Sequence, residues 1–449
     1  NYGVNPFIDT EDDRLSTFAM DVDTGSYTVA RRYVQDGILP PKDAIRVEEF
    51  VNYFDYNYPL PDEGQTFAVH LEGSPSPFGQ TDRYEMVRIG IQGYAIPPEA
   101  RQDVALTFVI DVSGSMDRED RLTLVKRALT LLVEELRPTD SVAIVVYGSD
   151  ARAVLPPTRG DEKDRILSAI YALNPEGSTN AEAGLLLGYA QAEIAYDAER
   201  INRVILLSDG VANVGQTGPE AILRTIEEYA MRGVYLTTVG FGLGNYNDVL
   251  MEQLANQGDG IYAYVDNIRE ARRIFVEDLS GTLQAIAKDA KIQVDFNPEV
   301  VARYRLLGFE NRAIADDEFR DDTVDAGEIG AGHSVTALYE IKRHPDVEGP
   351  IATVYLRWQD PQSREVSELN VTLDSAQLTP AFTETSPSFQ LAVIVAEYAE
   401  VLRESYWAQE NTLAGVQEEA ERIGRLFEDN ADVEEFVELT GQAARLPKE

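Results

Sequence analysis

Five residues stand out for what their side chains could do together. In DVSGS (111–115) a hydrophobic run, VALTFVI, gives way to Asp111, Ser113 and Ser115 around Gly114. GSTN places Thr179 just ahead of a helical pattern, and LLSDG ends a second apolar run at Asp209. All five side chains supply oxygen, with neither sulfur nor nitrogen, and only two are carboxylates. That is a donor set for a hard divalent cation such as Mg2+, which takes six oxygens at about 2.0–2.1 Å and gives up water reluctantly. The hydroxyls of Ser113, Ser115 and Thr179 suit direct contact. Asp111 and Asp209 suit the orienting of bound waters and hydroxyls from behind. An ion held by neutral oxygens keeps most of its charge and attracts an anion to an open position, most simply a carboxylate of another protein.

Three distant pieces of chain meet only if the surrounding elements bring them together. From about 103 to 285 apolar runs (VALTFVID, SVAIVVYGS, RVILLSDG, VYLTTVGFG, IYAYVD) alternate with stretches of helical period such as RLTLVKRALTLLVEEL, DRILSAIYAL and AEAGLLLGYAQAEIAY. The alternation predicts a doubly wound α/β domain with a mainly parallel sheet. In such sheets ligands bind beyond the carboxyl ends of the strands, where strand order reverses. DVSGS and SDG both lie at strand ends of that kind.

The rest of the chain changes period. Residues 1–65 read as a helical and irregular segment, with TGSYTVARRYVQDG starting a helix at Asp23 or Thr24 and stopping at Gly37. Residues 66–102 hold two strands, FAVHLEGSPSPF and YEMVRIGIQGY. Residues 286–380 alternate apolar and polar as a β-sandwich would, and 381–449 are helical again. The strands of 66–95 are expected to join the later β domain, with the α/β domain inserted between.

Composition narrows the chemistry. The 449 residues carry 78 acidic against 39 basic side chains, a net charge of -39, which opposes nucleic acid and anionic lipid as direct partners. There is no cysteine, so thiol catalysis, disulfides and thiolate metal sites are excluded. The three histidines, His70, His333 and His344, are too scattered to form a zinc motif. No apolar run approaches the roughly 18 residues of a membrane span. Residue 1 is Asn, which leads to the expectation of a processed chain whose signal or lipid anchor lay upstream, and of an extracytoplasmic location in a bacterial cell envelope.

DVSGSM, then Thr179 in GSTN, then Asp209 in SDG resembles the metal-ion-dependent adhesion site of the von Willebrand factor A domain, written D-x-S-x-S…T…D. The resemblance implies a divalent ion, usually Mg2+ with Mn2+ or Ca2+ as substitutes, and a protein ligand that donates Asp or Glu. STFAMDVDTGSYTVARRYVQDGILPPKDAIRVEEFVNYFDYNYP is similar to the N-terminal segment of bacterial YfbK-type von Willebrand factor A proteins. ENRAIADDEFRDDTVDAGEIGAGHSVTALYEIK is similar to their C-terminal region. Members of that family commonly carry a lipoprotein signal or membrane anchor.

Other stretches imitate sites more weakly. MDVDTGSY (20–27) resembles the nucleophile motif of haloacid dehalogenase-type phosphatases. It lacks the downstream parts, so Asp21 and Asp23 read as a turn into a helix. ADDEFRDDTVDAGE (315–328) gathers carboxylates but has Ala326 where an EF-hand needs glycine, and reads as a solvated loop. GFGLGNYND (240–248) lacks the spacing of a nucleotide loop. The expectation is therefore a non-enzymatic, metal-dependent protein-binding module. Two rivals stand beside it: a scaffold that binds through its β-sandwich or helices around a purely structural ion, and a metal-dependent hydrolase. The hydrolase would need a general base that the motif does not supply.

Overall fold

The computed structural model describes residues 3–78, 84–210, 219–242, 248–277, 283–324 and 326–447. The chain divides into two compact units, one made of residues 1–95 and 286–449 and the other of 96–285.

The first part of the discontinuous unit holds β1 (Ile8–Asp9), β2 (Leu15–Ala19), α1 (Gly25–Gln35), α2 (Val47–Val51), β3 (Phe67–Pro75) and β4 (Tyr84–Gly93). The segment expected to be helical thus also contributes two short strands, because each finds a partner far along the chain, β1 on residues 303–304 and β2 on residues 291–295. α1 opens after Thr24 and ends before Gly37, which takes a positive φ of 82°. Asp21 and Asp23 are buried, and both pair with the guanidinium of Arg312, at 2.9 and 3.2 Å. Their place is a turn ahead of α1, where Asp21 also accepts the amide of Asp23.

The continuous unit runs β5 (Val104–Asp111), α3 (Arg121–Glu135), β6 (Ser141–Tyr147), β7 (Ala151–Arg159), α4 (Lys163–Tyr171), α5 (Ala181–Ala195), β8 (Ile201–Ser208), α6 (Pro219–Met231), β9 (Val234–Phe241), α7 (Asp248–Gln257), β10 (Tyr262–Val265) and α8 (Ile268–Arg272). Its six strands lie in the order β10-β9-β8-β5-β6-β7. All neighbours are parallel except β7, which runs antiparallel to β6 at the edge. Every residue of β5 and β8 is buried, as continuous apolar strands covered on both faces should be. The sequence reading contains no counterpart of β7. Pro156 and Pro157 lack the N–H that an interior strand must donate, and only an edge tolerates them.

The chain then returns to the first unit with β11 (Ala285–Phe296), β12 (Val301–Leu307), β13 (Gly327–Gly330), β14 (Ser334–Arg343), β15 (Pro350–Gln359), β16 (Val366–Asp374), α9 (Pro387–Leu402), α10 (Leu413–Gly424) and α11 (Ala431–Ala443). One sheet has the order β1-β12-β14-β4-β3, so that β4 pairs along its length with β14 from the far side of the insertion. The other has the order β13-β11-β15-β16, with β2 also on β11. Phe296 of β11 stacks on Tyr304 of β12 at 4.3 Å and meets Tyr339 of β14 edge-on, which joins the two sheets face to face. Met86, Leu307 and Leu338 share a second core with the helices α1, α2, α9, α10 and α11. α9 is apolar nearly all round, and only a helix buried on every side can be so. Ser386 caps it and Pro387 opens it.

The acidic stretch 315–324 is tethered rather than merely solvated. Thr17 donates to Asp316 at 2.5 Å, Arg357 pairs with Asp322 at 2.7 Å, and Lys291 donates to the Asp321 carbonyl. Of the glycine-bearing stretch 240–248, residues 243–247 lie outside the described residues. Among the described residues no helix is long and apolar enough to cross a membrane.

Candidate functional site

Strand order reverses at β5. The chain goes from β5 to β6 on one side and then crosses to β8 on the other, so the switch point lies at the carboxyl ends of β5, β6 and β8. Asp111 is the last residue of β5, Tyr147 the last of β6 and Ser208 the last of β8, with Asp209 directly after. Backbone bonds close the crevice. The amide of Val112 donates to the Tyr147 carbonyl at 2.9 Å, Glu176 to Val112 at 2.5 Å, and Gly114 to Gly177 at 3.3 Å.

Asp111 lies at the floor, fully buried. One carboxylate oxygen accepts the Ser113 amide at 2.8 Å, and the other accepts the Ser208 hydroxyl at 3.1 Å. Burial raises its pKa and the negative charge of Asp209 adds to the rise, while the hydrogen bonds from Ser113 and Ser208 oppose it. The Ser113 and Ser115 hydroxyl oxygens stand 3.0 Å apart. Thr179 is half-buried, two residues beyond Gly177 and immediately ahead of Asn180, whose side chain caps α5 by accepting the Ala183 amide. The five residues named from sequence are therefore divided among one strand end, two loops and one helix start around the same crevice.

Glycines allow the approach. Gly177 has φ of 76°, and a Cβ there would come within 2.6 Å of the Ser149 amide. On α5, a Cβ at Gly188 would strike Val109 of β5, and one at Gly184 would strike Tyr147. The helix therefore lies close on the sheet, and Thr179 stands two residues ahead of its first residue, Ala181.

Four features escape a motif search. Ser208, inside LLSDG, is a second hydroxyl on Asp111. Ser149, just after β6, accepts the Ser178 amide at 3.1 Å and tethers the Thr179 loop. The Tyr147 hydroxyl is buried beside Ser208 and Asp111 but makes no hydrogen bond of good geometry with either. Burial and the charge of Asp111 hold its pKa well above the ordinary tyrosine value. Finally, Arg121, the first residue of α3, donates to Asp209 at 2.7 Å, with both side chains buried. Nothing in RLTLVKRAL marks that arginine as other than a helix surface residue.

The donor chemistry fits a small hard cation. Two adjacent ligands on an octahedron of about 2.1 Å radius stand roughly 3.0 Å apart, and the Ser113 and Ser115 oxygens already have that separation. Among the described residues no three His, Cys, Asp or Glu side chains converge as a metal-holding group. The candidate ligands are the three hydroxyls, with the two carboxylates behind them.

The unit that carries this switch-point crevice is a von Willebrand factor type A domain: the family model of that name matches residues 105–279. Such domains typically mediate protein–protein interaction, and they commonly bind a divalent metal ion. Flanking residues match models described as "von Willebrand factor" (1–88) and "Uncharacterized protein YfbK, C-terminal" (281–446). The chain is 36% identical over 427 residues to "Uncharacterized protein YfbK" of Escherichia coli strain K12, covering 89% of this chain and 73% of that one. It belongs to the YfbK family. Human inter-alpha-trypsin inhibitor heavy chain H3 is 29% identical over 254 residues, which cover 55% of this chain and 25% of the heavy chain. A solved structure, "von Willebrand factor type A from Catenulispora acidiphila", aligns with 88% of this chain and 99% of its own at 15% identity, with a TM-score of 0.48.

Proposed function

We propose that this protein is a metal-dependent protein-binding module. A divalent cation, Mg2+ or one of its substitutes Mn2+ and Ca2+, is held by Ser113, Ser115 and Thr179, and it ligates an aspartate or glutamate of a partner protein. The observation that carries this reading is the pair of serine hydroxyls 3.0 Å apart above the buried carboxylate of Asp111. The ion supplies a positive charge that attracts and orients the partner's carboxylate. Asp111 holds the Ser113 backbone in place and offers its remaining acceptor capacity to the hydroxyls. The α/β unit performs binding rather than turnover in this reading, because the D-x-S-x-S…T…D motif itself brings no histidine or glutamate as a general base. The sandwich and terminal helices serve as its mount, and an extracytoplasmic, membrane-anchored setting is part of the proposal.

The test is capture of partners from the bacterial envelope fraction in Mg2+ and in EDTA, by the wild type and by the Ser113→Ala, Ser115→Ala double variant. Capture that needs Mg2+ and is lost in the variant supports the reading. Capture at full strength in EDTA transfers the function to the β domain or the helices.

A further inference from the structure

Arg121 stands where a metal site would least be expected to keep a cation. Its guanidinium donates to Asp209 at 2.7 Å, with side-chain exposures of 6% and 0%. The side chain reaches Asp209 by passing over Gly242, just after β9. That residue has φ of 82°, and any Cβ there would run into the arginine. A buried arginine is strongly unfavourable without a paired charge, and here the partner is one of the two carboxylates of the candidate site.

We propose that Arg121 is a positioning residue that divides binding strength between the ion and its protein ligand. This inference rests on the metal-dependent reading above. Asp111, Asp209 and Arg121 together leave one net negative charge. A divalent ion turns that into one net positive charge, and a single carboxylate from a partner brings it to zero. Without the arginine the two carboxylates would offset the ion's charge more fully. The ion would then bind more tightly, and the loaded site would have less positive charge to attract an acid. Arg121 therefore weakens the bare ion and strengthens capture of the acidic ligand, so that ion and ligand bind best together. In a chain with a net charge of -39 this local excess is what an incoming carboxylate meets at contact, where long-range repulsion is screened by salt.

The experiment measures Mn2+ binding to the full chain by electron paramagnetic resonance. It compares wild type, Arg121→Gln, Asp209→Asn, the double variant and Ser113→Ala, with unfolding temperatures as the control for folding. Arg121→Gln is expected to bind Mn2+ at least about tenfold more tightly than wild type. Asp209→Asn, which removes a carboxylate and keeps the arginine, should bind most weakly. The double variant, back at one net negative charge, should recover towards wild type. Water proton relaxation of the bound Mn2+, titrated with acetate, should show that Arg121→Gln needs severalfold more acetate than wild type to displace ion-bound water. A merely structural arginine predicts weaker binding in both single variants and the weakest in the double variant, and that order overturns the inference. If Arg121→Gln does not fold, Arg121→Met is read in its place against the same expectation. Should wild type and Ser113→Ala be alike in binding no Mn2+, the metal reading fails and this inference with it. Mn2+ binding by wild type that is unchanged in a folded Arg121→Gln sinks this inference alone.

Discussion

Asp111 accepts from a backbone amide and from a serine hydroxyl on another strand, so its charge and its acceptor geometry are both engaged. Asp111→Asn presents an amide NH2 to groups that are themselves donors. It is expected to cost about 1–3 kcal/mol of folding stability and to weaken Mn2+ binding by roughly 10–100-fold, as removal of an orienting group does. Urea unfolding and Mn2+ titration read the two effects separately. Tyr147 offers the contrasting case. Its buried hydroxyl makes no hydrogen bond of good geometry to Ser208 or Asp111, so Tyr147→Phe should leave the unfolding temperature unchanged or raise it. A drop of several degrees would show that the hydroxyl is satisfied. The five candidate residues were legible only in combination: DVSGS alone reads as a polar turn, and Thr179 ahead of a helix and Asp209 after a strand are what make it a candidate site. Arg121 was not legible, because its role depends on a carboxylate 88 residues later and on the bare backbone of Gly242.

At the scale of elements, α5 acts as a lever on the site, since its glycines set its distance from β5 and β6 and its start carries Thr179. Gly188→Ala would force the helix outward from Val109. It should cost about 1–3 kcal/mol and weaken ion binding without touching any ligand. Unchanged Mn2+ affinity in a measurably destabilised variant would break that link. The alternating strands and helices of the α/β unit were legible from period alone, because buried parallel strands and amphipathic helices differ so plainly. β7 was not, since its two prolines speak against a strand and its edge position is visible only in three dimensions. β2 was not read as a strand for a related reason: five residues acquire strand structure from β11, whose paired residues lie 272 (Ala19 to Lys291) to 280 (Leu15 to Asp295) positions away.

At the scale of the whole molecule, charge decides how the protein responds to solvent. Burial, with Glu310 and Glu49 nearby, pushes Glu48 up to about 8. Burial, with Glu400 and Glu340 adding to the rise and Asn411 and Arg305 opposing it, does the same to Glu397. Each keeps a proton in the folded state that the unfolded chain has released above its ordinary value of 4.5. Raising pH from about 4.5 to about 8 therefore removes stability, and the loss is complete above the folded value. Glu48→Gln and Glu397→Gln should flatten that decline, seen as denaturant midpoints at pH 6 and 8.5 that differ less than in wild type. Glu400 works in the opposite sense: burial alone would raise it, but Arg305 and Arg403 hold it below its usual range. Its contribution is lost as pH falls through that lowered value. The net charge of -39 adds an association effect. An acidic ligand should bind faster as salt rises, and stopped-flow association that instead slows with salt would point to a basic partner.

The pairing of β4 with β14 also sets an order of events during synthesis. β4 is finished by residue 93, whereas β14 begins at residue 334. At about 5–20 residues per second the ribosome needs roughly ten seconds to a minute to deliver the missing neighbour. Throughout that interval β4 presents an unpaired edge, a standing invitation to wrong pairing. The inserted unit, whose strands all come from residues 104–265, can close meanwhile. In nascent chains arrested at increasing lengths, protease resistance should therefore appear first in residues 96–285 and only afterwards in the residues that precede them.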